Sequence, residues 1–324
     1  MDEQIETLQQ HLQDLRHQLH AGTVYQSLGN RIGQLIDGVH RQRRTPIALP
    51  DERDGIRDLL KDVSQGLEGD REVHLTLAEL DHLLQHLRST NPQIRYLGVH
   101  FTLYDALEDG VFSAAQIQWL VTQLLRDDRL FDHILEPSNQ GVYGRSAATS
   151  FLATLIHYSN DHPKLVQLDY DEIVVKVATY ICLETDTRGF INQQGWAHAF
   201  TSITELLTTL GDGVQLTRAD KLFLMVTLLE RFKRLTTPLI YGETERMGGY
   251  LVLLTNRHPI YESACLTALK QWRQQVALHR RATETAAGWN QFYNRRRLLD
   301  AMRLQRDLSP QIRAYLSSAI DFLA

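Results

Sequence analysis

The chain has 324 residues, 43 % of them hydrophobic and 23 % charged, with a formal net charge of −5 and two cysteines. That acidic balance disfavours wholesale binding to nucleic acid or to an anionic membrane, and two cysteines cannot build a disulfide framework or a thiolate zinc cluster. No run approaches the roughly 18 apolar residues of a membrane helix, and the polar start MDEQIETLQQ does not read as a signal peptide, so the expectation is a cytoplasmic protein.

In chain order, Ile5, Leu8, Leu12, Leu15 and Leu19 recur at three-and-four spacing and predict an amphipathic first helix. Val24, Tyr25, Leu28, Ile32, Leu35 and Ile36 continue the pattern after HAG. The stretch GVHRQRRTPIALP, 38–50, carries two prolines, clustered arginines and no helical stripe, which predicts a long loop. The expected organisation is therefore an N-terminal helical arm or cap with its loop over 1–50 and an α-helical repeat domain over 51–324.

Beyond that loop, helical stretches begin at Asn91, Gly144, Gly195 and Glu243, roughly 50 residues apart, with the partner helices SAAQIQWLVTQLL, DYDEIVVKVATYI, TRADKLFLMVTLLERF and YESACLTALKQW between them. Ser113, Asn91-Pro92 and Ser309-Pro310 supply start signals. A helix pair repeating at this period exposes an apolar side that only the next pair covers. The expected fold is all-α, a right-handed α/α superhelix of HEAT-like two-helix repeats, with an α/α toroid as the alternative geometry.

The block DTRGFINQQGWAHAF, 186–200, concentrates the unusual residues. Trp196 at the head of a helix is expected to fill a gap between repeats, with Ala197 and Ala199 allowing close approach. His198, Ser202 and Glu205 fall at i, i+4 and i+7 on one flank. Arg188 and Arg145, near neighbouring helix starts, either tie loops by capping carbonyls and pairing with Asp186 or Glu243, or receive an anion. Trp196, His198, Ser202, Glu205, Arg188 and Arg145 are the candidate ligand-binding set.

The spacing Asp186-x-Arg188-Gly189-aromatic followed by Gly195-Trp196-Ala197-His198-Ala199 resembles the signature of a bacterial family, domain of unknown function 2785. STNPQIRYLGVHFTLY, GRSAATSFLATLI and ETERMGGYLVLL resemble further segments of that family in the same order. The resemblance implies a helical-repeat-like fold and no assigned activity. Members of the family tend to carry a second His four residues after the first, then an Asp; here Ser202 and Glu205 stand in those places, removing one ligand of an i, i+4 metal pair.

Elsewhere, Glu79, His82 and His86 have helical metal spacing but lack the glutamate of an H-E-x-x-H motif, and Leu80, Leu83, Leu84 and Leu87 claim the buried side, which leaves the histidine pair on the solvated flank. His157, Asp161 and His162 sit at a helix end, where the dipole alone favours histidine. No metal or cofactor is expected. There is no G-x-S-x-G nucleophile motif and no P-loop, so no catalytic residue is named.

From Lys270 to Arg306 lie Arg273, Arg280, Arg281, Arg295, Arg296, Arg297 and Arg303 with Trp272, Trp289, Phe292 and Tyr293 interleaved. Trp289, Phe292 and Leu299 share a stripe with Arg296, which predicts Arg296 inward and Arg297 in solvent.

Three functions are expected to compete. The first is a scaffold binding a protein or peptide on a concave face. The second is a small-anion-binding protein or enzyme with a pocket near His198. The third, nucleic-acid backbone binding, requires Arg295, Arg297, Arg303 and Arg306 exposed on one surface.

Overall fold

The computed structural model describes residues 2–69, 72–164, 166–278, 284–319 and 322. Those residues are all-helical apart from one two-stranded ribbon. The helices open with α1 (Glu3–His20), α2 (Leu28–Asp37), α3 (Ile56–Glu68) and α4 (Leu77–His86). A π-helix (Gln93–His100) runs into α5 (Phe101–Glu108), followed by α6 (Ala114–Leu124), α7 (Asp127–Leu130), α8 (Gly141–Asp161) and α9 (Tyr170–Leu183). The ribbon strands β1 (Phe190–Ile191) and β2 (Gly195–Trp196) precede α10 (Ala199–Asp212). The chain closes with α11 (Arg218–Phe232), α12 (Glu243–Arg257), α13 (Pro259–Leu278), α14 (Ala286–Leu304) and α15 (Pro310–Ser318).

Local chemistry sets several helix starts. Thr76 with Glu79, Ser113 with Gln116 and Thr217 with Asp220 form reciprocal capping boxes, so each satisfies two first-turn donors that a helix cannot pair internally. Ser309 accepts from the Ile312 amide at 3.3 Å, with Pro310 in the first turn.

The chain divides into two compact units. Unit 1 comprises residues 1–40, 170–187 and 210–324; unit 2 comprises 41–169 and 188–209.

Unit 1 is centred on α11, which packs against α1, α2, α9 and α13. Every residue from Leu222 to Phe232 on it is buried, Thr227, Glu230 and Arg231 along with the apolar side chains, as a helix with neighbours on several sides requires. The stripe Ile5, Leu8, Leu12, Leu15 and Leu19 of α1 is buried as well. Gly29 and Gly33 let α2 approach α11: a Cβ on Gly29 would lie 2.8 Å from Glu230 Oε1, and one on Gly33 would collide with the Arg234 guanidinium. Arg16 on α1 reaches Asp220 at 2.6 Å and Asp171 at 2.5 Å, pegging α1 to α11 and α9. The thiols of Cys182 and Cys265 are free and buried, and burial pushes both up to about 12.

In unit 2, α3 packs on α4, the π-helix and α5, while α8 packs on α6 and α7. Leu80, Leu83, Ile117 and Leu120 are wholly removed from solvent. Each such side chain contributes about 1.5–3 kcal/mol through burial.

Candidate functional site

The segment expected to begin a helix at Gly195 instead closes a ribbon. Phe190 pairs with Trp196 and Ile191 with Gly195, antiparallel. The Ala197 amide continues the ladder to Gly189 O at 2.9 Å and the His198 amide to Arg188 O at 3.1 Å. Gly195 has φ +73°, and a Cβ there would stand 2.9 Å from Pro92 Cβ, so backbone and packing both demand glycine. His198 holds a left-handed backbone at φ +55°, and α10 begins immediately after it.

Trp196 is not the buried plug that its position suggested. It is 43 % exposed, edge-on to Phe190 at 5.1 Å and to His198 at 4.1 Å between ring centroids. On a strand the side chains of successive residues point to opposite faces. The inward places here belong to Gly195 and Ala197, and Ala197 and Ala199 form the buried cluster with Val142 and Tyr143.

Hydrogen bonds anchor the side chains of Arg145, Arg188, Ser202 and Glu205. Arg145 donates to Asp132 O at 2.6 Å, and Arg188 donates to Asn139 O. Both guanidinium groups thus tie down the loop between α7 and α8. Ser202 Oγ and Ser146 Oγ are 2.9 Å apart, and Ser150 donates to Glu205 at 3.2 Å, stitching α10 to α8. Backbone bonds link several of the candidate residues: the His198 amide donates to Arg188 O at 3.1 Å and the Ser202 amide to His198 O at 3.0 Å.

A residue outside that set holds the ribbon. Arg95 is 4 % exposed and donates to Ser89 O at 2.5 Å, Gln194 O at 2.7 Å and Trp196 O at 3.2 Å, with its guanidinium 4.2 Å from the Tyr143 ring centroid. Burial lowers it to about 10, which leaves it charged at neutral pH. Only its place in the Asn91-Pro-x-x-Arg95 segment hinted at a special role, because its carbonyl partners on the ribbon lie about a hundred residues away.

A cleft of about 390 Å³ opens elsewhere in unit 2. The strap Ala48–Pro50 forms one wall; Asp81, Leu84, Gln85 and Arg88 along α4 and its end form another, and Arg126, Asp128 and Arg129 around α7 complete the lining. Three arginines against two aspartates give the lining a charge of +1 (3 − 2). Arg126 forks onto Asp128 at 3.0 and 2.8 Å, Arg129 pairs with Asp81, and Arg88 reaches Asp132 at 3.0 Å. Even so, Arg88 Nε and Arg129 Nη1 are buried with no hydrogen-bond acceptor.

The flank of α4 next to this cleft carries the histidine pair. Both His82 Nε2 and His86 Nε2 stand 2.9 Å from Asp54 Oδ2. His86 is fully buried, which corrects the expectation of a pair on a solvated flank: the strap before α3 covers it. Glu79 is occupied in its capping box and does not join them. Desolvation would raise the Asp54 carboxyl, but hydrogen bonds from His86 and His82 outweigh it and hold it down at about 2.

The basic C-terminal stretch is shifted by one position from expectation. Arg295, not Arg296, turns inward, donating to Phe322 O at 3.0 Å, while the Arg296 side chain is 56 % exposed and lies 3.8 Å from Asp300. The buried register of α14 runs through Asn294, Arg295, Leu298, Leu299 and Met302, and Trp289 lies half exposed at its edge, so a wheel anchored on Trp289 is rotated. With Arg295 buried, the four-arginine surface required for a phosphate backbone is not formed. Arg280 and Arg281 lie outside the described residues.

The model of the family described as "Protein of unknown function (DUF2785)" matches residues 130–304, more than half of the chain. The chain belongs to that family. No curated protein and no solved structure matches it. The DUF2785 match takes in Arg145, Arg188, Trp196, His198, Ser202 and Glu205, while Arg95, Asp54, the histidine pair and every residue lining the cleft precede it. Among the described residues, no helix is long and apolar enough to cross a membrane.

Proposed function

We propose that unit 2 binds a small anionic molecule, bearing phosphate or carboxylate groups, in the cleft between the strap Ala48–Pro50 and α4. One observation carries this reading: three guanidinium groups line a single cleft of about 390 Å³, and two of their N–H groups lack an acceptor. The volume lies in the range of small-molecule sites, about 300–1,000 Å³. A buried donor without an acceptor costs about 1–3 kcal/mol, so an anion that draws these side chains round to its oxygens recovers an existing loss. Arginine suits the task because its planar fork matches carboxylate and phosphate edges. Ala48, Leu49, Pro50 and Leu84 supply an apolar side for the rest of the ligand.

The test is calorimetric titration of the full chain with inorganic phosphate, pyrophosphate and citrate at constant ionic strength. Saturable binding that disappears in Arg126→Ala is expected; the Arg126 side chain is 52 % exposed, so its removal spares the fold. Heats no larger than those of chloride for all three anions would remove the reading.

A protein or peptide partner is the second reading. It is supported by Tyr96, Leu97, Phe101 and Tyr104, four large apolar side chains exposed in succession along the π-helix and α5. A second copy of the chain is the simplest occupant, and concentration-dependent sedimentation that Phe101→Glu abolishes is the expected result. For the fold itself, we take the pairs α12–α13 and α14–α15 as HEAT-like layers, a reading supported by α12 packing on α14 and α13 on α15.

A further inference from the structure

Two imidazoles of α4 aim at a single carboxylate oxygen. His82 and His86 sit one turn apart on α4, so their side chains meet on one flank. Both direct Nε2, and both reach the same atom, Asp54 Oδ2, at 2.9 Å. Asp54 is itself oriented: its other oxygen, Oδ1, accepts the Ile56 amide at 3.2 Å in the first turn of α3. Among the described residues this is the single group in which three potential ligand atoms of His, Cys, Asp or Glu lie within 4.8 Å of one another.

We propose that His82, His86 and Asp54 form a binding site for a divalent transition-metal ion of the zinc type. Ligand bonds of about 2.0–2.2 Å in a tetrahedron set ligand atoms about 3.3 Å apart, so the two N···O gaps need to open by only about 0.4 Å. Two neutral imidazoles and one carboxylate favour zinc, cobalt or nickel over calcium and magnesium, which demand mostly oxygen ligands. The His86 side chain is sealed from solvent, whereas His82 is 26 % and Asp54 35 % exposed, so the outer side of the ion stays open to water. Three protein ligands with one open position is the coordination of catalytic rather than purely structural zinc sites. The ion would also join α4 to the strap at a point four residues beyond the cleft wall at Pro50, although the site stands whether or not the cleft takes an anion.

The test uses the full chain, freed of metal by chelation and titrated with zinc chloride, then with magnesium and calcium chloride. One zinc ion per chain with a raised melting temperature is expected, with no response to magnesium or calcium at equal concentration. Cobalt in place of zinc is expected to give visible d–d absorption of a four-coordinate site. In His82→Ala and Asp54→Asn, which alter the partly exposed members and spare buried His86, affinity is expected to fall at least ~10–100-fold. Zinc binding of equal strength in both variants, or none in the unaltered chain, overturns the proposal; circular dichroism of the variants separates a lost ligand from a lost fold.

Discussion

Arg95 carries three backbone carbonyls and a tyrosine face with one guanidinium, and lysine cannot reproduce that fork. Arg95→Lys is expected to cost about 2–4 kcal/mol in urea unfolding, because it leaves buried carbonyls without donors. Asp220 makes a second case at the same scale. Burial by itself would raise its carboxyl, but hydrogen bonds from Arg16, Thr217 and His20 outweigh this and set it below the ordinary range. A carboxyl lowered in the folded state takes up its proton less readily than the unfolded chain does. Its contribution is therefore full above the ordinary carboxylate pKa of about 4 and disappears as pH falls through the lower folded value. Asp220→Asn is expected to lose about 3 kcal/mol near neutral pH and to show a shallower acid-side decline in a melting-temperature profile.

Helices here approach one another where the sequence thins to glycine or alanine. Gly33 faces the Arg234 guanidinium, which also forks onto Asp37 at 2.7 and 2.9 Å and reaches Glu230 at 2.8 Å. Gly33→Val is expected to push α2 off α11, costing about 1–3 kcal/mol in denaturant melts. At the ribbon, Gly195→Ala meets both a left-handed backbone and Pro92, and a loss of about 2 kcal/mol is expected, with near-ultraviolet dichroism of Trp196 altered. The amphipathic stripes and caps of these elements were legible because their signals repeat within one or two turns. The ribbon was not: tryptophan, alanine and histidine in succession fit a helix start equally well. In the fold, Gly195 and Trp196 pair with Ile191 and Phe190, and Arg95 reaches from the π-helix to the carbonyls of Gln194 and Trp196.

At the scale of the whole molecule, the chain passes between its two units four times, since unit 1 gathers residues 1–40, 170–187 and 210–324. Deleting residues 1–40 removes α1 and α2 from the surfaces of α9 and α11 and strips Asp220 of Arg16 and His20. The truncated chain is expected to lose cooperative thermal unfolding and to aggregate, as an exposed face of buried leucines would require. A truncated chain that melts as sharply as the full one would show that α11 needs neither helix.

The sequence by itself determined that this protein is helical, where most helices start, which leucines are buried and which family it belongs to, because each of those properties is written at short range. Tertiary structure alone decided which charged side chains meet. Asp54 reaches histidines 28 and 32 positions away, Arg95 a ribbon about a hundred residues on, and three arginines share a cleft that no spacing announces. Helical periodicity fixes the face on which a side chain sits, and only the packing of distant segments fixes what that face meets.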